Sequence, residues 1–186
     1  LGQARAGKTT LLQLLMGKPL ASIPSTKGIT STTLTLDNKP ITIYDTAAID
    51  SYSSSILNTF YINANLMVYC VDLSKPIDIK QTKDNINNFR QLNQGPIILI
   101  GTKKDIEHPD NIPLFEQIET DFSFFHQQMT SSTDNNLEAF KKAMLHALYP
   151  DESHEIKFKF SQFDQALNKI IPNSPIGRKL YQLKRL

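Results

Sequence analysis

At 186 residues, with 40% hydrophobic and 20% charged residues, the chain is long enough for one well-formed core with an appendage. A formal net charge of +2 is too small to point to nucleic acid or an anionic membrane. One cysteine, Cys70, rules out a disulfide framework within the chain, and the apolar runs fall well short of the roughly 20 residues a membrane span needs.

The chain opens with "LGQARAGKTTLL", in which Gly2, Gly7, Lys8 and Thr9 fit the phosphate-loop pattern G-x-x-x-x-G-K-[ST]. Such a loop joins a buried strand to a helix, because its backbone N–H groups must form a rigid concave nest before a phosphate arrives. Only Leu1 stands where that strand would be, so the first strand is expected to be largely missing and the natural chain to begin earlier. "KTTLLQLLMGK" follows as a short helix that Gly17 can end, with Pro19 beyond it. "TSTTLTLDNKPITIYDT" alternates apolar and polar residues on either side of a "DNKP" turn, which predicts two antiparallel strands, the second ending at Asp45.

"SYSSS", residues 51–55, reads as a mobile polar segment. The continuous apolar runs "LMVYCV" and "PIILIG" predict strands buried on both faces of a parallel sheet, where Cys70 is a reduced core residue. Between them Ile77, Ile86, Phe89 and Leu92 are spaced for one buried helical stripe. A short helix over "IPLFEQIETDF", a last strand in "FFHQQMTSS" and a helix over "NNLEAFKKAMLHALY", with Leu137, Phe140, Met144, Leu145 and Leu148 apolar, complete the pattern. Alternating helices and strands imply a three-layer α/β domain with a mostly parallel sheet covered on both faces, over residues 1–149. Residues 150–186 read as two short helices, a helical extension or the start of a following domain.

In an open α/β sheet, ligands bind at the carboxyl ends of the strands. Three strings fall there: "DTAAI" at Asp45, "GTKKD" at Asp105 and "TSST" at Ser131 and Ser132. Each alone has an ordinary reading: Asp105 as a helix N-cap, "TSST" as a turn, Thr26 as a solvated loop hydroxyl, the phosphate-loop pattern as a Gly-containing turn. Their order along one chain is the stronger signal.

Over roughly residues 2–149 these strings resemble the Ras-like small GTPases, a phosphate-loop fold. "AGKTTLLQLLMGK" is closest in wording to the Arf-like, Rab-like and Roc branches. The resemblance implies GTP or GDP with Mg²⁺. It places Gly2, Arg5, Ala6, Gly7, Lys8, Thr9 and Thr10 around the phosphates, with Lys8 on the β- and γ-phosphates. Thr9, Thr26 and, through a water, Asp45 would hold the metal, Thr30 being a weaker candidate than Thr26. Thr102, Lys103 and Asp105 of "TKKD" would bind guanine, Asp105 accepting from N1–H and the exocyclic amine, with Ser131, Ser132 and Thr133 beside them.

The chain departs from the family after Asp45, where D-x-x-G-Q would be expected and Ala48–Ile49 stands in place of Gly–Gln. The Ala48 backbone N–H survives as a γ-phosphate donor, but Ile49 has no group with which to orient the attacking water. Weak, slow hydrolysis is therefore expected. Arg5 adds positive charge beside the phosphates, as an arginine finger in cis or as a solvent-facing side chain.

The leading reading is a guanine-nucleotide switch acting through protein effectors or regulators. The alternative is a pseudo-GTPase scaffold or binding module that holds GTP without turnover inside a larger protein. A phosphate-loop kinase or ATPase would need an Arg-rich lid, and the sequence has none. No signal peptide or C-terminal lipidation cysteine is present, so a cytoplasmic protein is expected, with no nucleic-acid partner and no indicated membrane contact.

Overall fold

The computed structural model of the chain describes residues 1–20, 26–122, 124–131 and 137–150. Ser132, Thr133 and the two short helices expected beyond Pro150 lie outside these residues.

Helix α1, Lys8–Leu15, begins at the phosphate-loop lysine and gives way to Gly17, whose N–H and that of Lys18 close the last turn onto Leu14 O and Gln13 O. Strands β1, Ile29–Leu36, and β2, Lys39–Thr46, pair antiparallel from Ile29↔Thr46 to Leu36↔Lys39. The turn is shorter than "DNKP". Asp37 and Asn38 alone form it, with φ of +46° and +63°, the two positive values that a right-twisted hairpin requires.

A short 3₁₀ turn, Ile49–Ser51, leads into helix α2, Ser54–Asn63, so the segment expected as a polar coil is half helical. Leu57 and Tyr61, four apart on one face, supply the reason: both reach the core. Strand β3, Met67–Asp72, helix α3, Ile79–Leu92, strand β4, Ile97–Thr102, helix α4, Asn111–Asp121, strand β5, His126–Met129, and helix α5, Leu137–Leu148, then alternate. Strands β3, β4 and β5 form a parallel sheet in that order, and the β1–β2 hairpin is a separate two-stranded sheet.

Leu1 and Gly2 run beside β3 as the edge of a further parallel pairing: Cys70 N donates to Leu1 O, and Gly2 bridges to Cys70. On its other side Gly2 O accepts from Ile49 N at 3.3 Å, so Gly2 lies between the end of the hairpin and β3. A Cβ at Gly2 would sit 2.3 Å from Cys70 O, which admits no side chain there.

The period-2 alternation of the parallel strands divides the core in two. Cys70, Ile98 and Ile100 face one way, against Leu11, Leu12 and Leu15 of α1, Phe140 and Met144 of α5, and Leu34, Leu36 and Ile41 of the hairpin. Met67, Tyr69, Val71, Ile97 and Leu99 face the other, against Tyr61, Ile86, Phe89, Phe115 and Ile118 from α2, α3 and α4. The expected stripe on α3 is corrected at both ends. Ile77 precedes the helix and Leu92 is exposed, while Thr82, Ile86 and Phe89 are the buried residues. Among the described residues no helix is long and apolar enough to cross a membrane.

Candidate functional site

The loop between Gly2 and α1 owes its shape to three residues of positive φ: Gly2 at +139°, Arg5 at +60° and Gly7 at +72°. Residues of positive φ, paired with right-handed neighbours, are those from which an anion nest of N–H groups is built, and here the Ala6 N–H closes a turn onto Gln3 O at 3.3 Å. Ala6 is fully buried under the loop, whereas Arg5 points to solvent. Thr102, at the end of β4, fastens the loop from below. Its hydroxyl is shared between Ala6 O at 3.0 Å and Val71 O at 3.1 Å, and a Cβ on Gly7 would come within 3.4 Å of its Cβ.

Lys8 stands at the first turn of α1 and folds over the loop, donating to Gly2 O at 3.1 Å and Gln3 O at 2.7 Å. Burial pulls its ammonium below the ordinary lysine range, more than the nearby Asp45 and Asp50 carboxylates offset. An anion arriving in the nest would relieve that cost. Thr10, the next residue but one, is half-buried on α1.

At Thr9, the residue after Lys8, three oxygens converge. Thr9 Oγ1 donates to Asp45 Oδ2 at 2.6 Å and lies 2.7 Å from Thr26 Oγ1, which is itself 3.3 Å from the same carboxylate oxygen. Asp45 is 6% exposed, so this is a buried carboxylate ringed by hydroxyls. An all-oxygen set of one carboxylate and two hydroxyls suits a hard cation that keeps several waters, as Mg²⁺ does. Thr30, by contrast, is exposed on β1 opposite Asp45 in the ladder.

The second cluster lies at the ends of β4 and β5. Lys103 has a left-handed backbone, φ +59°, from which the 3₁₀ turn Lys104–Ile106 starts with Asp105 exposed on it. Thr130 N donates to Gly101 O at 2.7 Å and Lys104 N to Thr130 O at 3.1 Å, so the "TKKD" and "TSST" loops are joined through their backbones, with Ser131 buried beside them. Asp105 is therefore displayed and not used as the cap of a long helix.

Ile49 is 3% exposed, packed in the second core cluster with Tyr61, Tyr69 and Leu73. The residue expected from the resemblance to stand in place of a glutamine thus points into the protein. Ala48 precedes it in an extended conformation, φ −57° and ψ 138°.

Three contacts here were not anticipated from the sequence. The Tyr52 hydroxyl accepts from Ala47 N at 2.8 Å and donates to Gly28 O, tying the segment after Asp45 to the one before β1. Gln81 on α3 links Gln3 of the loop to Asp50, through bonds of 2.6 and 3.0 Å. Asp72, at the end of β3, pairs with Lys103. Apart from Tyr52 with Ala47, these contacts join residues more than twenty positions apart, and no short pattern in the sequence signals them.

The sequence profile of the ADP-ribosylation factor family matches residues 1–118 of this chain. The chain belongs to the ADP-ribosylation factor family of small GTPases. It is also similar to the Ras-related protein RabN2 of Dictyostelium discoideum, 31% identical over 133 residues that cover 64% of this chain and 72% of that protein. Membership in the family carries GTP binding and a switch function in their general form, and the mixed α/β architecture with its parallel sheet agrees with the phosphate-loop GTPase fold.

Proposed function

We propose that this chain is a guanine-nucleotide switch that binds GTP and GDP with Mg²⁺ and hydrolyses GTP slowly. The observation that carries this reading is the convergence of Thr9, Thr26 and Asp45 beside Lys8 and the nest.

The loop amides of residues 2–10, with Gly2, Arg5, Ala6, Gly7 and Thr10 shaping or flanking the nest, bind the phosphates, and Lys8 exchanges its two carbonyl acceptors for β- and γ-phosphate oxygens. Thr9, Thr26 and Asp45 hold the metal, Asp45 through a water. When bound, Mg²⁺ neutralises charge that develops on the phosphate oxygens. Asp105 accepts from guanine N1–H and the exocyclic amine, Lys103 and Thr102 support the loop, and Ser131 stands beside the base. The Ala48 N–H meets the γ-phosphate. With Ile49 in the core, no side chain from that position orients water, and the expected rate is that of electrostatic stabilisation and positioning alone.

The segments around Thr26 and Ile49 change order with the γ-phosphate and present the partner surface. Exposed Tyr44, stacked edge-on against Phe60, and exposed Ile56 lie on β2 and α2 and form the apolar part of that surface. The setting is cytoplasmic and the domain spans residues 1–149, with 150–186 an extension or the start of a following domain. A second reading, a pseudo-GTPase that holds GTP as a structural element, is favoured by the burial of Ile49 alone.

Chromatography of nucleotide released from the purified protein, followed by single-turnover hydrolysis with Mg²⁺, tests both. Slow, Lys8-dependent turnover supports the switch and retained GTP without turnover the second reading. Absence of guanine nucleotide, or a preference for ATP, removes the role given to Asp105.

A further inference from the structure

The loop that carries Asp105 is held by a carboxylate from another strand. Asp72 closes β3 with its side chain 3% exposed, and Lys103, 30% exposed, reaches it from the residue after β4. Asp72 Oδ2 meets Lys103 Nζ at 2.6 Å, while Oδ1 accepts from Ser74 N at 3.0 Å and Ser74 Oγ at 2.6 Å. One oxygen therefore serves the turn after its own strand and the other serves the neighbouring loop. Because Asp72 and Thr102 are partners in the ladder, Lys103 is the first residue beyond the sheet, where main-chain pairing no longer guides it.

Lys103 adopts the left-handed region without being glycine, a strained conformation that persists only where the surroundings over-determine it. With its ammonium fixed on Asp72, the lysine stem has one course, and the turn bearing Asp105 starts at the next residue. A surface Lys–Asp pair would contribute little. This one differs because the carboxylate is buried: unpairing it would strand a desolvated charge. Burial alone would push the Asp72 carboxyl up, yet Lys103 and Ser74 together hold it below the usual aspartate range.

We propose that Asp72 is a positioning residue for base recognition: by holding Lys103 it fixes the start of the Lys104–Ile106 turn and so sets how long a guanine nucleotide stays bound. This rests on the assignment of Asp105 to guanine made above. Asp72 does not touch the nucleotide; its effect passes through Lys103.

The test uses the full chain loaded with fluorescent mant-GDP and chased with excess GDP, so that the dissociation rate is read directly. Asp72→Asn keeps an oxygen for the Ser74 donors but turns an amide toward Lys103, so the fold should survive while the pair is lost. Lys103→Met keeps the stem and removes the charge. Each single change should raise the dissociation rate about tenfold, and the double change no further than one single. Rates that multiply in the double variant overturn the proposal. So does a melting temperature that falls equally with and without GDP while the dissociation rate stays unchanged, because Asp72 would then be only a structural staple.

Asp105→Asn is measured alongside. It should lose GDP and gain xanthosine diphosphate, whose C2 oxygen accepts from the new amide. If Asp105→Asn keeps its GDP affinity, the guanine assignment falls and the Asp72 role falls with it. If it switches base while Asp72→Asn releases mant-GDP at the normal rate, only the Asp72 role falls.

Discussion

Replacing Ile49 with glutamine tests the proposal that position 49 is the one from which a glutamine would orient water, and the burial of Ile49 makes the outcome unlike a simple repair. The side chain is 3% exposed among Tyr61, Tyr69 and Leu73. Withdrawing a buried isoleucine forfeits about 2 kcal/mol of apolar transfer free energy. Leaving the new amide in that cluster without partners costs about 2 kcal/mol more. If the segment swings outward the second cost vanishes, but the Ile49 N to Gly2 O bond is then lost. The expected destabilisation is therefore about 2–4 kcal/mol, or a fall in melting temperature of about 6–12 °C for a domain of this size. Thermal melts in Mg²⁺ and GDP, run beside Ile49→Leu as a volume-conserving control that should cost less than about 1.5 kcal/mol, measure it. Single-turnover hydrolysis of the same samples should show little gain, since the amide begins in the wrong environment. An Ile49→Gln chain that melts with the unsubstituted one would refute the reasoning, because residue 49 would then not be part of the core.

Lys8→Met should abolish stable nucleotide loading, as purified protein would show by an empty chromatogram, while its melting temperature without nucleotide changes little or rises because a partly desolvated ammonium is removed. Asp45→Ala should remove the sensitivity of GDP dissociation to chelator, which a mant-GDP chase with and without EDTA reads; equal sensitivity would place the metal elsewhere. Tyr52→Phe should speed amide exchange at Ala47 by about fivefold, the effect of losing a bond of about 1 kcal/mol, while the 3.0 Å bond from Ala47 N to Gly28 O persists. Asp72 supplies a pH dependence. Its folded-state pKa is below the ordinary 3.8, so its stabilisation is present above that value and fades as pH falls through the lower folded value. Urea titrations should show the gap between the unsubstituted chain and Asp72→Asn to be constant near neutral pH and to close in acid.

The parts of the fold legible in the sequence are those that local physics determines. The alternation "TSTTLTL" and "PITIY" marks the hairpin, and the continuous apolar runs at 66–71 and 96–101 mark strands buried on both faces, which became β3 and β4. Helix α2 escaped notice because its serine-rich first turn carries a loop composition and its buried side is narrow, with Tyr61 its one fully buried residue. Leu92 misled in the opposite sense, since a hydrophobic residue at the right spacing proves to be a helix end facing solvent. In the candidate site, Gly2 to Thr9 was readable from spacing, but the meeting of Thr9 with Asp45, across 36 positions, was accessible only through resemblance to a family. Asp72 and Tyr52 were not legible at all. Their partners, Lys103 and Gly28, are chosen by the register of the strands and not by any short pattern.

A single hydroxyl, that of Thr102, closes Ala6 and Val71 onto the end of β4, so the loop at residues 2–9 and the loop at 103–105 share one hinge in place of two. A change of order in one loop would then be felt in the other through Thr102. A fragment that orders one loop, such as pyrophosphate, would stiffen the other before anything touched it, and a guanosine fragment added second would meet a loop whose conformational entropy had already been lost. The two halves of a nucleotide would in that sense assist one another even when no bond joins them.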